Sequence, residues 1–201
     1  MFDALIIGGG PAGIQCGLIL GSAHIQEYAK NKRVGIVMHQ KASDLQSALL
    51  NNVLGLSPGT SGTEILDTGK NHLASLYPHV TQIENEKVFS VTGNLGNFTI
   101  RTNKSEYKAR LVVIALGYSN FFSIEGLNEF IEPHPKTQPE KERVRLKNTD
   151  HLVKPGIYVA GTLAGWRSQF AIAAGSGAQV GTDILTLWNN GKHTKVHDKL
   201  S

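Results

Sequence analysis

Three closely spaced glycines near the start constrain this chain more than any other feature. They form a Gly-x-Gly-x-x-Gly pattern over residues 8–13. The apolar run Phe2–Ile7 before them is rich in branched side chains and predicts a buried strand. Apolar residues at near-helical spacing predict a helix from Ile14 to about Lys30, and Val34–Met38 predicts a second buried strand. A strand, turn, helix and strand of these lengths form a parallel pair.

Each glycine of this pattern has its own physical role. Gly8 makes the tight turn, Gly10 lets a pyrophosphate approach the backbone, and Gly13 lets the helix pack closely on the strand. The helix N-terminus supplies free N–H groups and a partial positive charge to the same ligand. Because the pattern follows a strand and opens a helix, it predicts a nucleotide site that includes Pro11 and Ala12. A glycine-rich turn with only a structural role is the alternative.

The end of the second predicted strand lacks an acidic residue, which would hold the ribose hydroxyls in the full pattern. Met38, His39, Gln40 and Lys41 stand there instead. His39 can still hydrogen-bond a ribose and Lys41 can favour a phosphate. We therefore keep Met38 and His39 as candidate cofactor contacts, although a histidine at a strand end is more often incidental.

A second glycine-tipped strand lies near the end of the chain. Ile157–Ala160 predicts the last strand, and Gly161 and Thr162 follow it. Ser168–Trp188 predicts the last helix. Two such strands, each followed by a helix N-terminus, can serve the two ends of one long anionic ligand, and FAD has that shape. A flavin near the second helix N-terminus would be stabilised, because its reduced form carries negative charge at N1.

Small residues recur along both predicted helices. They are Gly13, Gly17 and Gly21 on the first helix, and Ala171, Ala174, Gly175, Ala178 and Gly181 on the last. Small faces allow backbones to approach closely, so we expect these helices to touch each other or to press on the sheet. Cys16 lies beside this face, and a small buried hydrophobe is its simplest interpretation.

The rest of the chain completes an α/β pattern. We expect mostly loop over residues 43–62, a helix over Glu64–Leu76 and a continuous apolar strand at Leu111–Leu116. Four weakly alternating stretches predict a small antiparallel meander, at Val80–Ile83, Lys87–Thr92, Asn97–Thr102 and Glu106–Ala109. The predicted fold class is α/β: a Rossmann-like domain with a mainly parallel sheet, helices on its faces and an antiparallel meander.

Two segments do not resemble a core. Residues 132–150 hold three prolines and nine charged residues, so we expect an exposed loop or hairpin there and a candidate hinge. Residues 191–201 predict a polar tail after a single domain of residues 1–190.

Composition and charge argue against several classes of function. The formal net charge is only +4, and the one dense basic stretch lacks interleaved aromatic residues, so we expect no nucleic-acid binding. One cysteine and eight scattered histidines predict no internal disulfide, no CxxC pair and no metal site. No apolar run approaches membrane-spanning length and no basic segment precedes the first strand, so we expect a cytoplasmic protein without membrane contact.

Together these motifs resemble the FAD domain of thioredoxin reductase-like flavoproteins, within the FAD-dependent pyridine nucleotide-disulfide oxidoreductase family. The similarity covers most of residues 2–188 and rests on four segments, Asp3–Gly13, Leu111–Gly117, Pro155–Thr162 and Ser168–Gly177. It implies that the first glycine motif holds the FAD pyrophosphate. It also implies that an Ala-Thr-Gly motif closes against the cofactor and that a Gly-Asp pair contacts its ribityl chain.

The resemblance assigns candidate cofactor contacts residue by residue. With those from the glycine turn and the second strand, they are Gly8, Gly10, Pro11, Ala12, Gly13, Met38, His39, Ala115, Gly117, Gly161, Thr162, Gln169, Phe170 and Ala171. Leu116 replaces the Thr of Ala-Thr-Gly, and Thr162 replaces the Asp of Gly-Asp. The resemblance identifies no catalytic side chain.

The chain also departs from this family in size. The family's NAD(P)H domain and its CxxC have no counterpart, and residues 132–150 stand where relatives carry that domain. We expect a minimal flavoprotein oxidoreductase that depends on a separate reductase or another external electron donor, and the family pattern suggests a homodimer. Two alternatives stay open: a non-catalytic nucleotide-binding or interaction protein, and an NAD(P)-binding domain with Lys41 near a phosphate.

Overall fold

The computed structural model describes residues 1–39 and 43–196. Its strands are β1 (Phe2–Ile7), β2 (Val34–Met38), β3 (Leu49–Leu50), β4 (Thr60–Ser61), β5 (Thr81–Glu84), β6 (Val88–Asn94), β7 (Asn97–Thr102), β8 (Glu106–Ile114), β9 (Ile131–Pro133), β10 (Val144–Leu146), β11 (Leu152–Lys154) and β12 (Ile157–Val159). Its helices are α1 (Pro11–Ser22), α2 (Gly62–Leu76) and α3 (Phe170–Trp188).

Five parallel strands form the centre of the main sheet, in the order β12-β8-β1-β2-β5. Strand β11 adds an antiparallel edge beside β12. Ile6 of β1 lies opposite Ile36 of β2 and Val113 of β8. Because both faces of these strands are covered, their sequences are nearly continuous apolar runs. The predicted Rossmann-like α/β class is confirmed.

The two faces of the sheet carry different layers. Ala4 and Ile6 belong to the core beneath the three helices. Leu5 and Ile7 belong to the core beneath β6, β7 and the β9–β10 hairpin. This division follows from the two-residue period of a strand. Helices thus cover one face, and antiparallel strands cover the other.

The first helix is shorter than the sequence predicts. It ends at Ser22 and continues as a 3₁₀ turn over Ala23–Ile25, instead of reaching Lys30. The Gly21 carbonyl, which a longer helix would use for its next turn, accepts hydrogen bonds from the rings of His24 (3.1 Å) and His79 (3.0 Å). These side-chain donors end the helix where the apolar spacing alone would continue it.

Two predictions about the strands are wrong, one in the pairing partner of a strand and one in the division of a strand into two. Residues 81–84 do not join the meander; as β5 they pair in parallel with β2, because α2 carries the chain back to the same edge of the sheet. The separate strands predicted at Glu106–Ala109 and Leu111–Leu116 form one strand, β8. Its first half pairs antiparallel with β7 and its second half in parallel with β1, so one strand joins the meander to the main sheet.

The charged stretch at residues 132–150 forms a hairpin, which is one of the two forms that the sequence predicts. Val144 lies opposite Pro133 and Leu146 opposite Ile131 in its two short strands. Leu146 is fully buried, so one side of the hairpin belongs to the core in spite of the composition. The polar tail is described only as far as residue 196.

Candidate functional site

The Gly-x-Gly-x-x-Gly turn is shaped by two glycines that no other residue could replace without a clash. Gly8 has a φ of +124°, and a methyl group there would overlap the Ala115 carbonyl, with 2.7 Å to its carbon. A methyl group on Gly13 would overlap the Gly8 carbonyl oxygen. These contacts hold the start of α1 against the ends of β1 and β8, as the pattern predicts.

Gly10 is different, because its surroundings are open. In the described part of the chain, no atom lies within 4 Å of the position that a Cβ would occupy. Its backbone, at φ −81° and ψ −174°, is extended and accessible to any residue. Gly10 is the N-cap of α1 and Pro11 is its first residue. The structure therefore leaves an unobstructed approach to the N-terminus of α1, where amide groups attract anions.

The carboxyl ends of three strands meet at this N-terminus. The Ala115 amide donates to the Ile7 carbonyl (2.8 Å), and the Ala160 amide donates to the Ile114 carbonyl (2.9 Å). Gly161, with a φ of +78°, lies so close to α1 that an added Cβ would be 3.1 Å from the Ala12 Cβ. The predicted residues of both glycine motifs are thus neighbours, although they lie far apart in the sequence.

The turn after Gly161 is fixed by hydrogen bonds from two other elements. The Gly161 amide donates to Ser176 Oγ of α3 (2.8 Å). The carbonyl of half-buried Thr162 accepts from His134 Nε2 of the hairpin (3.1 Å). Sequence reasoning missed both Ser176 and His134, since neither belongs to a local pattern that points to this turn.

The structure places the candidate residues at the end of β2 in different surroundings. The Met38 side chain is buried in the core beneath the helices. His39 instead lines a cavity of about 170 Å³, with Leu116 and Phe122 among the other lining residues. Lys41, proposed as a phosphate contact, lies outside the described residues.

The start of α3 adjoins a second cavity on the helix side of the sheet. Gln169 is the N-cap of α3, and exposed Ala171 lies in its first turn. Half-buried Phe170 lines a cavity of about 170 Å³ together with Pro11 and Leu56. Each cavity is smaller than the 300–1,000 Å³ that is usual for a ligand pocket, so neither can enclose a dinucleotide. A dinucleotide would have to extend over the open edge of the sheet between them.

A buried carboxylate adjoins the His39 cavity. Glu86 Oε2 accepts from Thr102 Oγ1 (2.5 Å), and Oε1 accepts from the Tyr107 hydroxyl (3.0 Å) and Ser105 Oγ (3.4 Å). These hydroxyl donors satisfy both carboxylate oxygens and tie the start of β6 to the β7–β8 connection. Glu86 is the acidic residue that lines this cavity, and its oxygens are engaged within the fold.

The prediction that the first and last helices touch is confirmed. Helices α1 and α3 do touch: an added Cβ on Gly181 would be 2.9 Å from the Ile19 Cβ. On α1, however, Gly17 faces Leu73 of α2 and Gly21 faces Tyr77. Gly17 and Gly21 of α1 therefore pack against α2 and the segment after it. The residues of α1 that contact α3 lie on a different face of the helix.

Cys16 is fully buried between the helices and the sheet. Burial raises the pKa of its thiol to about 12. The thiolate is the reactive form of cysteine, so this thiol is inert near neutral pH. The interpretation as a small buried hydrophobe is supported. Within residues 1–39 and 43–196, no three His, Cys, Asp or Glu side chains are grouped to hold a metal ion.

Comparison with known proteins agrees with this arrangement. A profile of the pyridine nucleotide-disulphide oxidoreductases matches residues 2–161, which include both strands that end in glycine. The chain belongs to the pyridine nucleotide-disulphide oxidoreductase family. The predicted membership of the pyridine nucleotide-disulphide oxidoreductases is confirmed, and the match ends at Gly161, the second glycine tip.

Individual members of the family are distant from this chain in sequence. A ferredoxin–NADP reductase from Pediococcus pentosaceus (strain ATCC 25745 / CCUG 21536 / LMG 10740 / 183-1w) is 24% identical over 166 residues. The aligned segment covers 80% of this chain but 47% of that protein, so the chain spans about half the length of the curated relative.

Solved structures show the same fold. A thioredoxin reductase from Gloeobacter violaceus superposes with a TM-score of 0.74 at 12% identity, over 100% of this chain and 98% of that one. An oxidoreductase from Agrobacterium tumefaciens gives a TM-score of 0.74 at 14% identity, over 91% and 97%. A ferredoxin-flavin thioredoxin reductase from Clostridium acetobutylicum gives 0.67 at 16% identity, over 94% and 98%. In the described part of this chain, no helix is long and apolar enough to cross a membrane.

Proposed function

We propose that this chain binds FAD and acts as the flavin-carrying part of an oxidoreductase that receives electrons from an external donor. The observation that carries the proposal is the meeting of the two glycine motifs at the N-terminus of α1. Gly8 and Gly13 build the turn, Gly10 leaves it open, and Gly161 lies against Ala12. The family of the chain supports FAD as the nucleotide.

The residues at the edge of the sheet fit the parts of this cofactor. Gly10, Pro11 and the first amides of α1 would hold the pyrophosphate, because helix N-termini attract phosphate. His39, beside its cavity, would contact the adenosine end. Gly117 is exposed just after β8, and Thr162 lies in the turn after Gly161, so both would contact the cofactor towards the flavin.

Bound FAD supplies hydride or electron transfer through its ring, and the protein contributes position and electrostatics. The N-terminus of α3, at Gln169 and Phe170, would stabilise negative charge on a reduced ring. Phe170 and Leu56 line an apolar cavity that would exclude water from the same region. No buried thiol takes part, since Cys16 lies in the core and keeps its proton.

The inference of an external donor rests on the hairpin between β8 and β12. We infer that residues 1–190 form one FAD-binding domain and that the hairpin region, 132–150, stands where relatives carry an NAD(P)H domain. The short hairpin supports this inference. Its strands β9 and β10 have three residues each, and the segment between Pro133 and Val144 is too short to hold a second nucleotide domain. The electron donor would be a separate reductase or a soluble reduced nucleotide.

A homodimer is a further part of this proposal, and its support is the likeness to the family. The small faces of α1 and α3 do not add to it, because Gly17, Gly177 and Gly181 pack within the chain. Light scattering of the purified protein would measure its mass directly.

The first test is the visible absorption spectrum of the purified protein, with any released cofactor identified by chromatography. We expect a flavin spectrum, FAD as the released compound and reduction by dithionite under anaerobic conditions. We expect NADPH to reduce the flavin slowly and without saturation, because residues 132–150 form a short hairpin where we infer that relatives carry an NAD(P)H domain. A colourless protein that takes up no added FAD would overturn the proposal in favour of a non-catalytic or NAD(P)-binding domain, which titration with NADP would separate.

Restoring the acid that relatives carry at residue 162 should strengthen FAD binding. A hydrogen bond to a charged group contributes about 1.5–3 kcal/mol, so we expect Thr162→Asp to lower the Kd for FAD by about 10- to 100-fold. Thr162→Asn, of similar size and neutral, is the matched control and should change the Kd much less. Flavin fluorescence titration measures both variants. Equal affinities for Asp and Asn would show that residue 162 does not contact the cofactor through its side chain.

A further inference from the structure

The β9–β10 hairpin is attached to both segments that leave the sheet at the candidate site. The Val144 amide donates to the carbonyl of Tyr118 (2.9 Å), just after Gly117. His134 Nε2 hydrogen-bonds the carbonyl of Thr162, just after Gly161. The hairpin therefore joins the chain that follows β8 to the chain that follows β12.

His134 is held in one tautomer by its two neighbours. The side chain is only 5% exposed. Nε2 faces a carbonyl oxygen, which can only accept, so Nε2 carries the proton. Nδ1 accepts a hydrogen bond from the amide of Lys136 (3.2 Å), so Nδ1 carries the lone pair. Both ring nitrogens are satisfied when the imidazole is neutral.

The turn that His134 contacts is held from several sides. The Thr162 carbonyl also accepts from the Gly165 amide (2.9 Å), which closes a short 3₁₀ turn. Ser176 holds the Gly161 amide from α3. An added Cβ on Gly165 would lie 3.1 Å from Arg145 Cδ, so β10 packs directly on the same turn. From residues 132–150, His134 holds the Thr162 carbonyl of this turn, and Asn148 Nδ2 donates to its Ala164 carbonyl (3.1 Å).

We propose that His134 is a positioning residue for the cofactor. Its neutral imidazole fixes the Gly161–Thr162 turn at the edge of the main sheet where FAD would bind. The inference rests on the proposed function, because orienting this turn affects binding only if the cofactor lies on it. Its role is indirect: His134 contacts the Thr162 backbone and not the ligand. It compensates in part for the missing Asp by immobilising the residue that replaces it.

The surroundings of His134 favour the neutral ring. Burial lowers its pKa below the usual 6.5, and the positive charges of Lys136 and Arg145 lower it further. Hydrogen bonds to the backbones of Thr162 and Trp166 act in the opposite direction and are outweighed.

Other charged or titratable groups nearby do not reverse this preference. The Tyr118 ring lies edge-on at 5.3 Å between centroids, and Arg143 stacks over that tyrosine at 4.9 Å. Glu132 pairs with Arg145 (2.9 Å), so its charge is partly compensated. Protonation would place a second N–H at Nδ1, facing the Lys136 amide, and would break that hydrogen bond.

The lowered pKa of His134 determines how FAD binding should depend on pH. Above pH 6.5 the ring is mostly neutral in both the folded and the unfolded chain, and both of its hydrogen bonds are present. As the pH falls below 6.5 and through the lowered pKa of folded His134, a proton on Nδ1 breaks the hydrogen bond from the Lys136 amide, so the ring that donates to the Thr162 carbonyl is no longer held from its other side. FAD affinity should therefore decrease in acid.

Fluorescence titration with FAD from pH 5 to pH 8, with free FAD as the reference at each pH, tests the proposal. We expect the wild-type Kd to rise about tenfold towards acid, the loss that corresponds to roughly one hydrogen bond. His134→Gln keeps an amide donor and is neutral at every pH, so its Kd should stay within about threefold of wild type at pH 7.5 and stay flat in acid. His134→Phe keeps an aromatic ring without a donor and should bind about tenfold more weakly at all pH values.

The outcomes separate this inference from the proposed function. A wild-type protein that binds no FAD overturns both. Wild-type binding with an equal Kd for His134→Phe, or an acid loss that persists in His134→Gln, overturns only the role of His134. If His134→Phe does not fold, the pH profiles of wild type and His134→Gln decide. Nitrogen NMR of histidine-labelled protein reads the tautomer directly, and a proton on Nδ1 at pH 7.5 would also overturn the inference.

Discussion

Gly13→Ala should prevent stable folding, whereas Gly10→Ala should leave the fold intact and weaken nucleotide binding. The Gly13 substitution places a methyl group on the Gly8 carbonyl oxygen, which is backbone and cannot move aside without shifting β1 or α1. Overpacking costs about 1–3 kcal/mol and more where backbone must shift, so we expect a loss of at least about 3 kcal/mol in the free energy of unfolding. Urea unfolding followed by circular dichroism measures it.

Gly10→Ala is the matched control, at the N-cap immediately before α1. Its backbone conformation suits alanine, and open space surrounds the position, so the unfolding free energy should change by less than about 0.5 kcal/mol. The added methyl group would stand where a pyrophosphate approaches. We expect the Kd for FAD to rise at least about tenfold, as for the loss of one good interaction. A stable Gly10→Ala protein with unchanged FAD affinity would place the cofactor elsewhere on the molecule.

These two glycines show what the sequence could predict. The turn at residues 8–13 and the strands at Phe2–Ile7 and Val34–Met38 depend on local rules: an apolar run, a spacing of glycines and a helix start. The structure has both strands with the predicted bounds. The pattern also assigned separate roles to Gly8, Gly10 and Gly13, and the contacts at Gly8 and Gly13 agree with those roles.

The parts that were missed depend on contacts between distant residues. The end of α1 at Ser22 is determined by two histidine rings on the Gly21 carbonyl, and one of them, His79, is 58 residues away. The parallel pairing of β5 with β2 depends on where α2 returns the chain, and not on the composition of β5. Neither has a local pattern that could reveal it.

The same reason explains His134. It lies in a segment with many prolines and charges, whose composition predicts exposure, yet it is buried against Thr162. Its burial comes from the packing of Leu146 and of β10 on the turn after β12. Sequence reasoning named Thr162 as a candidate cofactor contact, but it did not find His134, whose ring hydrogen-bonds the Thr162 carbonyl.

The second large effect is expected at the contact between α1 and α3. Gly177→Ala should destabilise the protein by at least about 3 kcal/mol, because its methyl group would overlap the Ala12 carbonyl and lie 2.9 Å from the Ala12 Cα. Both clashing groups are backbone within regular helices, so relief requires the two helices to separate. Thermal and urea unfolding would measure the loss.

Gly175→Ala, two residues earlier in the same helix, should have the opposite effect. Gly175 is exposed, and among the described residues no atom lies within 4 Å of its Cβ position. Alanine should therefore stabilise α3 by about 0.5–1 kcal/mol through helix propensity. Equal destabilisation by both substitutions would contradict the packing of α3 on α1 through Gly177.

The Gly177 contact affects both the stability of the fold and the geometry of the candidate cofactor site. Ala12 is the residue against which both Gly161 and Gly177 lie, and Ser176, next to Gly177, holds the Gly161 amide. A displacement of α3 would therefore move the N-terminus of α1 and the turn after β12 relative to each other. Any Gly177→Ala protein that still folds should bind FAD more weakly by at least about tenfold, since two groups of the site would lose their relative position. Wild-type affinity in such a protein would show that the cofactor does not depend on both motifs together.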